Sequence, residues 1–397
     1  MAIDPVKLNP ELAAWLKARQ ASLKVVKTTT TPSGKTIDWV PIESQQPAGE
    51  IATPPPAAAA VYEHAEDLRQ PVKPVTFELD DPKVERGPAG TVPILRPDIS
   101  RLTRTIALKD FLTKRGGAKV NKHRTNKQPT DPNPAGYFHN TDSQSGKFYG
   151  WDGRINVWDP KVNTPSGPGD DHSILQVWLQ NYDKPHLQSL EGGWTVDESL
   201  NGDLKPHIFT YYTVNGYTSD GDNKGGYNRI YDGWVQHSDS IFPGIGIAPS
   251  SVFGGAQYDV SMKFQLYKEP NNDHVNWWVA VQGVWMGYYP AKLYNGGLGK
   301  IVDWIGVGGE VYSSLADPEK TKDQMGSGHK AADGWTKAAF MRNLRNQSNM
   351  SGAMVANNGS AVSDAAIPGG ADPYTIQMHM NSGGSWGSYF YVGGPAK

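Results

Sequence analysis

From about residue 129 onward the chain is built on alternation. Tyr258, Val260, Met262, Phe264 and Leu266 are separated by Asp259, Ser261, Lys263 and Gln265, and this period of two predicts a strand with one buried face. Residues 275–286 (VNWWVAVQGVWM) are apolar on both faces, which predicts a strand inside a sheet stack. Residues 174–179, 208–214 and 389–392 read as further short strands, with Gly, Asn and Asp clusters as turns. Only residues 331–344 have helical character in this part. Many close-spaced strands predict an all-β fold, an antiparallel β-sandwich or barrel over residues 129–397.

The first hundred residues have a different texture. Asn9 ahead of Pro10, with Leu12, Trp15, Leu16 and Leu23 as an apolar side, predicts a capped helix. Residues 45–60 (QQPAGEIATPPPAAAA) are low in complexity, and their triple proline favours an extended, flexible connector. Residues 1–100 therefore read as a loosely built accessory segment, mixed and partly extended.

Composition narrows the chemistry. With 44 Gly, 30 Pro, 13 Trp, 18 Tyr and 10 Phe in 397 residues, an all-α fold is disfavoured. The absence of cysteine removes disulfides, thiolate nucleophiles and cysteine-ligated metals. No apolar run reaches the length of about 18 residues that a membrane span requires. Residues 1–23 are broken by Lys7, Glu11, Lys17 and Arg19 and do not form a signal peptide, so a cytoplasmic location stays open. Charge is uneven: residues 101–128 carry 9 Lys/Arg against 1 Asp/Glu, whereas residues 129–397 carry 18 against 26. Phe111 is the sole aromatic in the basic strip, which suits a solvated linker and not a nucleic-acid face.

Familiar local signatures fail. Gly34-Lys35-Thr36 lacks the glycine that a phosphate loop needs five residues earlier. Residues 383–387 (GGSWG) fit a nucleophile elbow literally, but no Asp or His follows to complete a triad. The ten histidines show no zinc-binding spacing, and neither a metal nor another cofactor is expected. Hydrolysis would have to rest on carboxylates. Glu191 (LEGGW) and Glu310 (VGGEV) stand out because each abuts a glycine pair and apolar neighbours, where a backbone can approach a ligand closely. Two carboxyls sharing a cleft can divide the roles of base and acid, although turn-flanking glutamates at strand ends would look the same.

Several stretches taken together resemble the neprosin family. They are residues 87–96 (GPAGTVPILR), 154–158 (RINVW), 173–178 (SILQVW), 190–196 (LEGGWTV), 209–216 (FTYYTVNG), 287–292 (GYYPAK), 308–311 (GGEV), 325–329 (MGSGH) and 389–396 (YFYVGGPA), in collinear order. The resemblance implies a glutamic peptidase that cleaves after proline, built on an antiparallel β-sandwich, made as a zymogen and secreted. Glu191 and Glu310 fall on the family's catalytic pair. Residues 1–100 then take the part of a pro-region and 101–128 that of a processing linker, cut at Lys114-Arg115 or by self-cleavage near residues 129–134. The partners implied are proline-containing peptides or proteins, with no nucleic acid or membrane; oligomeric state is left open. Trp194, Tyr211, Tyr212, Trp277 and Trp278 are candidates to line an apolar substrate cleft, with sandwich core as the other reading of each. Plant members carry cysteines, which this chain lacks. Sequons at Asn346, Asn349 and Asn358 would permit glycosylation after export. The rival readings are a carbohydrate-binding or glycoside-hydrolysing sandwich using the same carboxylates, and a non-catalytic surface protein.

Overall fold

The alternation resolves into two stacked antiparallel sheets. The structure, a computed structural model, describes residues 9–56, 72–97, 108, 137–163, 171–182, 187–214, 216, 225–313, 322–365 and 372–395. The basic strip and both expected processing points lie outside the described residues, Leu108 excepted.

The N-terminal region contributes a helix, α1 (Pro10–Ala21), and strands β1 (Lys27–Thr30), β2 (Thr36–Pro41), β3 (Val72–Pro74), β4 (Thr76–Phe77) and β5 (Thr91–Leu95). The sandwich begins with β6 (Tyr137–Phe148), β7 (Gly150–Asn156), β8 (His172–Asn181), β9 (Gln188–Val196), β10 (His207–Thr213) and β11 (Gly225–Tyr227). It continues through β12 (Val235–Gln236), β13 (Ile247–Ala248), β14 (Gln257–Lys268), β15 (Val275–Val281), β16 (Val284–Pro290) and β17 (Val302–Tyr312). The last strands are β18 (Ala339–Gln347), β19 (Val355–Ala356), β20 (Ser360–Ala365), β21 (Thr375–His379) and β22 (Tyr389–Gly393). Sheet I has the order β11-β10-β9-β8-β17-β6-β20. Sheet II runs β12-β16-β15-β14-β7-β18-β22-β21, with β19 added on β18 and β3 on β14.

Side-chain parity assigns the layers, because directly paired residues on neighbouring strands share a face. Leu175, Val177 and Leu179 of β8, Leu190, Trp194 and Val196 of β9, and Val307 and Val311 of β17 meet Trp151, Met262, Phe264 and Trp277 of sheet II in one buried cluster. That cluster holds the sandwich together without disulfides.

Three expectations are corrected. Residues 331–344 are not a helix: Ala331–Asp333 form a short 3-10 turn and Ala339–Gln347 a strand. Between Arg342 and Arg345 the β18–β7 register shifts by one residue, with Asn343 at φ 53°. The extra residue brings both arginines to one face, where they bind Asp259 and Asp152. Residues 275–286 are not one strand but a hairpin, β15 and β16, turned at Gln282 (φ 50°) and Gly283 (φ 76°), as a two-residue type I′ turn requires.

Nor is the described part of residues 1–100 loosely built. Asn9 caps α1 through its side chain, as expected. β1, β2 and β5 form their own sheet, while β3 pairs in parallel with β14 and β4 pairs with β13. Lys35 Nζ lies 2.7 and 3.0 Å from the ring nitrogens of His207 and 3.0 Å from Asp203. Burial works against ionised Asp203, yet His207 and Lys35 hold its carboxyl well below the usual range. The connector expected at 45–60 is, over residues 51–56, seated on sheet II.

Candidate active site

Glu191 is the fourth residue of β9 and Glu310 the ninth of β17, and β8 runs between them. Glu191 pairs with Trp178 of β8, and Glu310 pairs with Ile174. Residues 174, 176 and 178 point the same way, so both glutamates project from the outer face of sheet I with Gln176 midway. Two strand spacings separate their backbones by roughly 10 Å across the sheet, and four residues of offset by about 13 Å along it. A water molecule and a substrate carbonyl fit between such groups better than a directly shared proton does.

Gln176 is flanked by Gly193 on one side and Gly308 on the other. A Cβ on Gly193 would lie 2.0 Å from the Leu175 carbonyl oxygen, and one on Gly308 2.2 Å from that of Asn140. The glycines therefore allow these strands to lie close and leave the face beside Gln176 bare. Their sequence neighbours serve packing instead: a Cβ on Gly192 would strike Phe264, and one on Gly309 would strike Met325.

The two carboxylates have different company. Glu310 Oε2 accepts from Gln176 Nε2 at 3.2 Å and lies 3.0 Å from His139 Nε2, while its Oε1 lies 3.1 Å from His172 Nε2. Glu191 Oε1 accepts from Ser189 Oγ at 2.8 Å. Both glutamates are buried, at 0% and 1% exposure. Phe209, Tyr211 and Tyr227 pack with Ile174 across this face. Burial, with Glu310, Asp197, Tyr137 and Glu191 adding to it, pushes the Tyr227 phenol well above its ordinary value. Gln176 Oε1 is buried with no hydrogen-bond partner among the described residues, an acceptor left over beside the pair. Among the described residues no group of three or more His, Cys, Asp or Glu is arranged to hold a metal ion.

The structure divides the expected aromatic lining. Tyr211 pairs with Glu191 and shares its face. Trp194, Tyr212 and Trp277 point the other way, into the buried core between the sheets. Trp278 is on the outer face of sheet II, in a separate cluster with Trp285 and Tyr288. The residues that do surround the glutamates, His139, His172, Gln176, Trp178, Ser189 and Tyr227, were not singled out by sequence. The alternation in residues 173–178 (SILQVW) marks Ile174, Gln176 and Trp178 as one face, but only the strand register shows which glutamates they meet.

Residues 169–395 match the neprosin family, and this span contains both glutamates. The chain belongs to the neprosin family. A peptidase-related function goes with that membership. The neprosin match begins after β6 and β7, although both strands are integral to the two sheets and β6 supplies His139.

Proposed function

We propose that this member of the neprosin family is a glutamic endopeptidase that cleaves after proline at acidic pH, with Glu191 and Glu310 as its catalytic pair. The observation that carries the reading is their common projection from one face of sheet I on either side of Gln176. Three nitrogen-bearing side chains on Glu310 suit it to the ionised, proton-accepting role. Glu310 takes a proton from water, the hydroxide equivalent forms a bond to the scissile carbonyl carbon, and Glu191 donates its proton toward the departing nitrogen as the C–N bond breaks. Gln176 holds Glu310 in place and offers its free oxygen to the attacking water or to a substrate N–H. Tyr211, Trp178 and Tyr227 are the aromatic surfaces near enough to receive a proline ring.

The zymogen reading rests on coverage of the site. α1 grips the turn that follows β11: Arg19 pairs with Asp232 at 2.8 Å, and Trp15 stacks on Tyr231. That turn is continuous with Tyr227, so removal of the N-terminal region would free the aromatic layer over the glutamates. Export belongs to the same reading. Asn349 and Asn358 are exposed, whereas Asn346 is 1% exposed and would escape glycosylation once folded.

The rival glycosidase reading would use the same carboxylates, but family membership favours peptide over sugar. Incubation of acid-treated protein with a peptide library and a polysaccharide panel separates the two. Mass spectrometry should find new carboxyl termini at proline and no released sugar; released sugar, or cuts indifferent to proline, would overturn the assignment.

A further inference from the structure

We propose that the outer face of sheet II carries a second peptide-binding site, specific for proline-rich polypeptide, and that residues 51–56 of the chain occupy it as a built-in ligand. The site lies on the opposite side of the sandwich from the glutamates, and its existence does not depend on their chemistry.

The platform is made of Trp278, Trp285 and Tyr288, which β15 and β16 present on one face. Trp278 packs against Trp285 with ring centroids 5.9 Å apart and against Tyr288 at 4.7 Å. Lys263 lies over the Trp285 ring at 5.7 Å. Residues 51–56 read IATPPP, and within them Ala52 and Pro55 are buried while Thr53 and Pro56 are exposed. A buried residue at every third position is the pattern that a polyproline-type helix, with three residues per turn, lays against a flat surface.

The contacts are those of peptide recognition. Trp285 Nε1 donates to the Pro55 carbonyl oxygen at 3.1 Å, the Ala52 N–H donates to the Tyr288 hydroxyl at 3.1 Å, and the Thr53 N–H donates to Glu269 Oε1 at 3.2 Å. All three bonds go to backbone groups, so they would serve any segment of the same conformation. Specificity then falls to ring-on-ring packing, which a preordered proline segment meets with little loss of entropy. The resident segment also leaves one donor unused. Trp278 is fully buried, yet its Nε1 has no partner among the described residues.

The test uses the full chain carrying Glu310→Gln, so that no peptide is cut and a failed result leaves the peptidase reading untouched. The probe is a fluorescein-labelled peptide with the sequence of residues 49–57, and binding is read by anisotropy. In the unaltered segment the tethered ligand competes at a high effective concentration, so affinity for the probe is low. Pro54→Gly, Pro55→Gly and Pro56→Gly together should raise the affinity by about tenfold or more. Trp285→Phe in that background keeps an aromatic ring, removes the N–H and should lower affinity by about tenfold. A probe with alanine for each proline should bind at least about tenfold more weakly. The proposal is overturned if the opened variant binds no tighter than the unaltered segment, or if the proline-free probe binds equally well.

Discussion

Two pairs of buried carboxylates occupy the two outer faces of this sandwich, and they differ in what surrounds them. On sheet II, Asp259 accepts from Arg154 at 2.8 Å and Arg342 at 2.9 Å, and Asp152 accepts from Nε and Nη2 of Arg345 at 2.8 and 2.7 Å. On sheet I, Glu310 accepts from an amide and lies beside two imidazoles, and Glu191 accepts from a serine hydroxyl. All four acids are within 1% of complete burial. Burial alone therefore does not mark a catalytic carboxylate. Permanent guanidinium charges neutralise an acid and fix it as a strand clamp, whereas groups that donate without a permanent charge leave it able to exchange a proton.

The comparison can be broken by making one change, carboxyl to amide, at different places. The largest effect on stability is expected at Asp259, where Asp259→Asn removes the shared counter-charge from two largely buried arginines. Loss of one partner of such a cluster costs about 3–5 kcal/mol, measurable by denaturant unfolding. An unchanged midpoint would mean that the clamp has no structural role.

A smaller effect of opposite sign is expected at Asp142. This carboxyl is buried, its Oδ1 has no partner among the described residues, and burial raises it from 3.8 to about 7 despite the Asn357 amide on its other oxygen. Because the folded value lies above the unfolded one, its contribution to stability is full below about pH 4 and is lost as pH rises through about 7. Asp142→Asn should therefore raise the melting temperature at pH 8, by a gain of up to a few kcal/mol, and leave it unchanged at pH 4. Equal shifts at both pH values would contradict the titration of this group.

Strand β14 was legible because its residues alternate. The residues 258–266 that suggested β14 have the predicted parity, with Asp259 and Lys263 outside and Val260 and Phe264 inside. Parity could also have sorted the aromatics. Trp194 is three residues from Glu191 on one strand, so it must point to the other face, and only one of Tyr211 and Tyr212 can join the glutamate. The glycine pairs drew attention to Glu191 and Glu310, but half of those glycines turn out to face the core. His139, His172 and Gln176 lie 171, 138 and 134 residues from Glu310 in sequence. Their meeting depends on strand order within sheet I, which no local pattern encodes. The helix expected at 331–344 is instead a short 3-10 turn followed by β18, a break that the residue pattern there does not mark.

The central claim is that Glu191 and Glu310 do chemistry while the other buried acids do not. Its most direct measurement is the rate of cleavage of a proline-containing peptide by Glu191→Gln and by Glu310→Gln, read beside the melting temperature of each. Either change should lower the rate by about a thousandfold or more while stability stays within about 1 kcal/mol, because the amide keeps the shape but cannot exchange the proton. A variant that melts normally and still cleaves at a rate near the unaltered protein would contradict the account.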